Sequence, residues 1–130
     1  MATWEQVQER VRLQFNLDRD DDDEFSLTTE RHDVSGSRAQ RVMVRHYTAW
    51  GAHMIEVRSA FAEAGDLDAE KMLAESLQLP LGAIALHGRF LVVVQKAILD
   101  HMTIDGVVFL LTRISMLADV LEERGGGDRF

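Results

Sequence analysis

The stretch from Leu77 to Arg124, LQLPLGAIALHGRFLVVVQKAILDHMTIDGVVFLLTRISMLADVLEER, constrains the fold more than any other part of the chain. Pro80, the one proline present, has no amide hydrogen to donate and stops the helix before it. Gly82 then lets the backbone swing into a strand. Gly82 to His87 and Arg89 to Ile98 are predicted strands, linked tightly at His87-Gly88. The second strand is apolar on both faces, as expected of a central strand or of one covered by a partner. Phe90, Val92 and Val94 point one way, Leu91 and Val93 the other, and the last two are the predicted dimer or partner contact. Thr103 is placed to cap a final helix, with Asp105 in its first turn complementing the positive helix end. Val107, Leu110, Leu111, Ile114, Leu117, Ala118 and Leu121 recur as one stripe, so this helix is predicted to lie across a sheet. At roughly 1.5–3 kcal/mol each when fully buried, these side chains contribute more than about ten kcal/mol gross.

The preceding residues must supply the rest of that sheet. Thr3 to Phe15 is a short amphipathic helix with Trp4, Val7, Val11 and Phe15 on one face, and Thr3 with Gln6 fits a capping box. Asp18 to Glu24, DRDDDDE, places Asp18, Asp20 and Asp22 at the first ligand positions of a calcium loop. Asp23 stands where that loop needs glycine and Thr29 where it needs glutamate, so the run is predicted to be a solvated acidic loop. Phe25 to Glu30 alternates as a first strand, and Arg31 to Arg38, RHDVSGSR, carries turn residues and is predicted to be a loop.

Arg41 to Trp50 and Ala52 to Phe61 are predicted strands joined near Trp50-Gly51. With those two residues as the hairpin loop, Val44 faces Val57 and His46 faces Ile55. On the other side Arg45 faces Glu56 and Tyr47 faces Met54. Val42, Val44, Ile55, Val57 and Phe61 then form the buried face. Met43, Tyr47 and Met54 lie among Arg41, Arg45, Glu56 and Arg58 on the wetter one. Methionine repacks around varied apolar partners, so Met43, Tyr47 and Met54 are the candidate peptide-binding residues. Asp66 or Asp68 can cap a second helix running to Leu77 or Leu79, with Ala69, Met72, Leu73, Ser76 and Leu77 as its apolar face.

A chain of 130 residues, 46% apolar, supports one core and is predicted to be a single domain over 1–124 with a flexible Gly-rich tail over 125–130. A net charge of -8 argues against nucleic acid as a partner. Without cysteine there is no disulfide, thiolate metal site or cysteine nucleophile. The first residues lack a signal-peptide pattern and no apolar run approaches the ~18 residues of a membrane span, so a cytoplasmic location without a membrane partner is expected.

His101-Met-Thr-Ile-Asp105-Gly106 resembles the HxxxDG signature of chloramphenicol-acetyltransferase and condensation-domain acyltransferases, in which the histidine is a general base. Those enzymes carry a second histidine where this chain has Asp100, and they are considerably longer. The string is therefore predicted to be a strand-to-helix joint. The five histidines show no HxxxH or HxH spacing, although His46 and His53 can share a sheet face near the hairpin tip. No metal, cofactor or catalytic residue is predicted.

The predicted order is α-β-β-β-α-β-β-α, an α+β domain with an antiparallel sheet packed against helices. This order, with the LPLG opening at Leu79–Gly82 and the Leu117, Ala118, Asp119, Leu121 finish, resembles the type III secretion chaperone-like fold, and within it the YbjN-like group of bacterial domains. The resemblance implies a small acidic homodimer that binds a protein or peptide client and has no catalytic function. An acyltransferase-like enzyme using His101 and Asp105, or a structural or regulatory subunit of a larger complex, are the alternatives.

Overall fold

A computed structural model describes residues 1–34, 36–125 and 130. Helix α1 spans Trp4–Gln14, and the Thr3 hydroxyl accepts the Gln6 amide hydrogen while Gln6 Oε1 accepts that of Thr3. Strands β1 (Leu17–Asp20), β2 (Glu24–Asp33), β3 (Gly36–Ala49) and β4 (Ala52–Glu63) follow as an antiparallel meander. Helix α2 (Ala69–Ser76) leads to β5 (Ala83–His87), then β6 (Phe90–Ile98) and helix α3 (Ile104–Arg124). One six-stranded antiparallel sheet results, in the order β1-β2-β3-β4-β6-β5. The α+β class and the positions of all three helices agree with the sequence reading.

The β3–β4 hairpin has the register expected from its two chemically coherent faces: Val44 pairs with Val57, Arg45 with Glu56, His46 with Ile55 and Tyr47 with Met54. Its two-residue turn puts Trp50 and Gly51 at φ of 53° and 72°, the left-handed pair that matches strand twist. Phe25, Leu27, Val42, Val44, Ile55 and Val57 point to the side where α1 and α3 lie, and with Trp4, Val7, Val11 and the α3 stripe they form the core. Gly82, at φ 74°, is wedged against Ile114, Val93 and the Val94 carbonyl, so a side chain there would be strained and crowded at once.

Three expectations are corrected. The acidic run is a loop only over residues 21–23: Leu17–Asp20 is an edge strand, and Asp20 takes two 2.8 Å hydrogen bonds from Arg12. This guanidinium holds the Asp20 carboxyl below the usual carboxylate range. Charge along an edge strand deters pairing with other chains, which reconciles an Asp-rich sequence with β structure. Nor is Arg31 to Arg38 a simple loop, because β2 and β3 stay paired to Asp33 and Gly36. Helix α2 buries only Met72, leaving Leu73 and Leu77 exposed, since it lies at the β5 edge rather than over the sheet. Within the predicted tail, 126–129 lie outside the described residues. Gly125 caps α3, and Phe130 packs edge-on against Phe90.

The extended β2–β3 end is held to α3 by charge. Arg38 Nε donates to Asp119 Oδ1 at 2.9 Å and its Nη2 reaches Glu122 Oε1 at 3.5 Å. Arg31 lies 3.4 Å from the other Asp119 oxygen and also pairs with Glu123. Asp119 and Glu122 are buried, so removing their partner strands charge in a low-dielectric site. Arg38→Ala is expected to lower unfolding free energy by on the order of 3 kcal/mol in urea titration. Arg31→Ala, at the wetter end of the same network, is expected to cost less. Equal and negligible losses would show that the network does not support the fold.

Candidate functional site

Helices α1 and α3 lie on one side of the sheet, and among the described residues no helix covers the other. β-Strand alternation sends Met43, Arg45 and Tyr47 of β3, Met54, Glu56 and Arg58 of β4, and Val92, Val94, Lys96 and Ile98 of β6 to that side. Rows of cross-strand neighbours follow from the register. Tyr47, Met54 and Ile98 form an apolar row near the hairpin end, followed by Arg45, Glu56 and Lys96, then by Met43, Arg58 and Val94.

The charged groups are held flat between the apolar ones. Glu56 is only 7% exposed and is reached by Arg58 at 2.5 Å, Arg45 at 3.3 Å and Lys96 at 3.8 Å. Burial pushes its carboxyl up, but the hydrogen bonds from Arg58 and Arg45 outweigh this and leave it below the usual carboxylate range. Arg58 also donates to Met43 Sδ at 3.0 Å, and Arg45 lies 4.5 Å over the Tyr47 ring. Three cations thus surround one carboxylate at the centre of this face, and Arg41 alongside pairs with Asp18, on a chain of net charge -8. The arrangement offers an apolar surface studded with positive charge.

The predicted peptide-binding residues come together here in part. Met43 and Tyr47 are half-buried and present surface, whereas Met54, 8% exposed, is floor beneath them. Leu91 and Val93 require correction. They point into the helix-covered core, with Val93 wholly buried, so neither offers surface to a partner. Both faces of β6 are apolar; on the face away from the helices Val92 is buried and Val94 is half-buried. His101 sits in a short 3-10 turn (Leu99–His101) and is exposed; Thr103 accepts the Gly106 amide hydrogen, and Asp105 pairs with Arg10 at 2.8 Å. The joint predicted for that string is the one observed.

One feature escaped the sequence reading. Trp50 is 95% exposed at the hairpin tip, in a left-handed conformation that bulky residues rarely adopt. The only sequence signal was an aromatic residue in an assumed turn. Beside it, on the helix side, His46 and His53 do share a face. Asp23 Oδ1 lies 3.1 Å from His46 Nδ1, and His46 Nε2 lies 2.9 Å from His53 Nδ1, with Trp4 stacked on His46. A single hydrogen is shared between the facing ring nitrogens. Among the described residues, no group of three or more histidine or acidic side chains could hold a metal ion, and no helix is long and apolar enough to cross a membrane.

Because the Glu56 carboxyl titrates lower folded than unfolded, its stabilisation is complete above the unfolded carboxylate range and is lost as pH falls through the folded value. Glu56→Gln is therefore expected to destabilise the domain at neutral pH by about 1.5–3 kcal/mol, the scale of charge-assisted hydrogen bonds. The difference from the native chain should shrink toward zero in strong acid, as read from urea midpoints between pH 7 and about pH 2. A pH-independent difference would show that charge pairing is not its source.

Comparison with protein-family models and with curated proteins finds no match to this chain.

Proposed function

We propose that this chain is a non-catalytic, chaperone-like module that binds peptide or protein segments, of the YbjN-like kind within the type III secretion chaperone-like fold, acting in the cytoplasm as a homodimer. The observation that carries the reading is the open sheet face. An antiparallel sheet with one solvated face ordinarily alternates apolar-in and polar-out. Here the outward residues of three adjacent strands include Met43, Tyr47, Met54, Val92, Val94 and Ile98, interleaved with cations. Such a face suits an amphipathic segment laid across it, with apolar side chains against Met43 and Tyr47 and carboxylates toward Arg41, Arg45 and Lys96. The net charge of the whole chain would draw a basic client, whereas the face itself favours an acidic-apolar one.

Fluorescence anisotropy with an amphipathic peptide of leucine and glutamate, and with its lysine counterpart, tests this. The glutamate peptide is expected to bind, more weakly as salt rises, and the lysine peptide to fail. Met43→Ser with Tyr47→Ser should weaken binding at least about tenfold, the scale of one interface hot spot, without lowering the thermal midpoint by more than a few degrees. Undiminished binding by that double variant removes this face from consideration. A light-scattering mass of one chain at micromolar concentration removes the dimer.

Trp50 gives a second, opposed readout. Trp50→Asn places the favoured Asn-Gly pair in the turn and is expected to raise stability by about 0.5–1 kcal/mol while weakening peptide capture. Loss of stability, or capture unaffected by the change, would mean that the exposed tryptophan is no anchor.

A further inference from the structure

The sheet is not continuous between β3 and β4. The two strands pair from Met43 and Arg58 to the hairpin tip, and on the far side of that pair they part. Gln40 spans the gap from the helix side, donating through Nε2 to Ser59 Oγ at 2.9 Å and to the Ala60 carbonyl at 2.6 Å. Ser59 Oγ donates to the Arg41 carbonyl. The result is a fork in the sheet, and Phe130 occupies it.

Phe130 is bound there as a peptide would be. Its carbonyl accepts the Arg41 amide hydrogen at 3.0 Å, a main-chain bond to the edge that β3 presents where β4 has left it. Its own amide donates to Glu122 Oε2 at 2.7 Å, and its ring meets Phe90 edge-on at 5.6 Å. Cavities of about 530 and 560 Å³ lie on its two sides, and Phe130 lines both. They differ in charge. On the Glu122 side, Glu63, Asp66, Glu75 and Glu122 outnumber Lys71 and Arg124. On the Arg41 side, Arg41 and Arg58 line the wall without an acid.

We propose that the fork between β3 and β4 is a binding slot for an extended peptide segment with an aromatic residue, preceded by a cation and followed by a carboxylate, and that Phe130 is its intramolecular occupant. The polarity comes from the main chain. The amide of the aromatic residue faces the acidic cavity and its carbonyl faces the basic one, so residues before and after it meet opposite charge. The residue before Phe130 in the sequence is Arg129, a cation. A client must displace Phe130, which is tethered to α3 through residues 125–129 and held near its slot at an effective concentration on the order of millimolar. This inference rests on the peptide-binding reading above and adds to it the client's chemistry and a competing element.

The test uses the full chain, its Phe130→Ala variant and a fluorescein-labelled heptapeptide with the sequence of residues 125–130 extended by one glutamate. The variant is expected to bind this probe about tenfold or more tightly than the native chain, because the tethered competitor is gone. A probe with alanine for the phenylalanine should lose binding to the variant, and one with glutamate for the arginine should weaken it. In amide hydrogen exchange, Arg41 should exchange faster in the unliganded variant and slow again when the probe is added. Equal probe affinity for native chain and variant, binding indifferent to the aromatic residue, or an Arg41 amide that ignores Phe130 each overturns the proposal. A Tyr47→Ser variant separates the two readings, because Tyr47 lies outside the cavity that Met43 lines. Capture of the heptapeptide by Phe130→Ala with no effect of this face variant on the leucine-glutamate peptide would leave the slot and remove the face; the reverse pattern would leave the face and remove the slot.

Discussion

A six-stranded sheet has two faces to cover, and one long helix with two short ones covers only one. Helix α3 lays its stripe across β3, β4 and β6, and α1 closes the β2 side through Trp4, Val7 and Val11. Among the described residues, no helix lies over Met43, Tyr47 and Val94. The open face escapes becoming a plain hydrophobic surface, with its tendency to aggregate, because cations are threaded through it and pinned there. Glu56 does the pinning: one buried carboxylate draws Arg58, Arg45 and Lys96 flat against their apolar neighbours. Removing that carboxylate would leave three like charges to spread into solvent, so the shape of the face depends on a charge that contacts no partner itself.

The fork between β3 and β4 follows from a competition for β3. Near the hairpin tip β3 pairs with β4. Beyond Val42, Arg38 is drawn to Asp119 and Glu122 of α3, while Gln40 bridges through its side chain to Ser59 and Ala60 of β4. Buried ion pairs of this kind add little net stability because desolvation offsets their attraction, but they tolerate few alternative arrangements. Their effect here is positional: they fix the end of β2–β3 against the last turns of α3. In doing so they hold open a strand edge, which Phe130 then meets.

What could be read from residues alone was whatever had a period or a pairing rule. The stripes of α1 and α3, the Thr3 and Thr103 caps and the β3–β4 register all depend on neighbours in sequence or across one hairpin, and they emerged at the right positions. Edge strand β1 did not, since aspartate disfavours strands on average and its partners Arg12 and Thr28 lie in other elements. The β2–β3 extension was hidden for the same reason, because turn-like residues are held in strand by carboxylates some eighty residues away. The open face was identified correctly on β3 and β4, where apolar and charged residues alternate. On β6 both faces are apolar, no rule chose between them, and the wrong pair was taken as exposed.

Charge on this molecule is segregated rather than averaged. The chain carries eight more acids than bases, yet the centre of its open face is cationic. Acidic groups gather at the edge strand, in the turn before β2 and around the last turns of α3. Long-range attraction of a polycationic partner would be general and would draw it to those acidic regions. Binding on the sheet face works against the net charge, so it demands short-range contact, which apolar side chains beside well-held cations supply. On the proposed reading, that combination would discriminate by the spacing of apolar and acidic groups along a segment rather than by total charge.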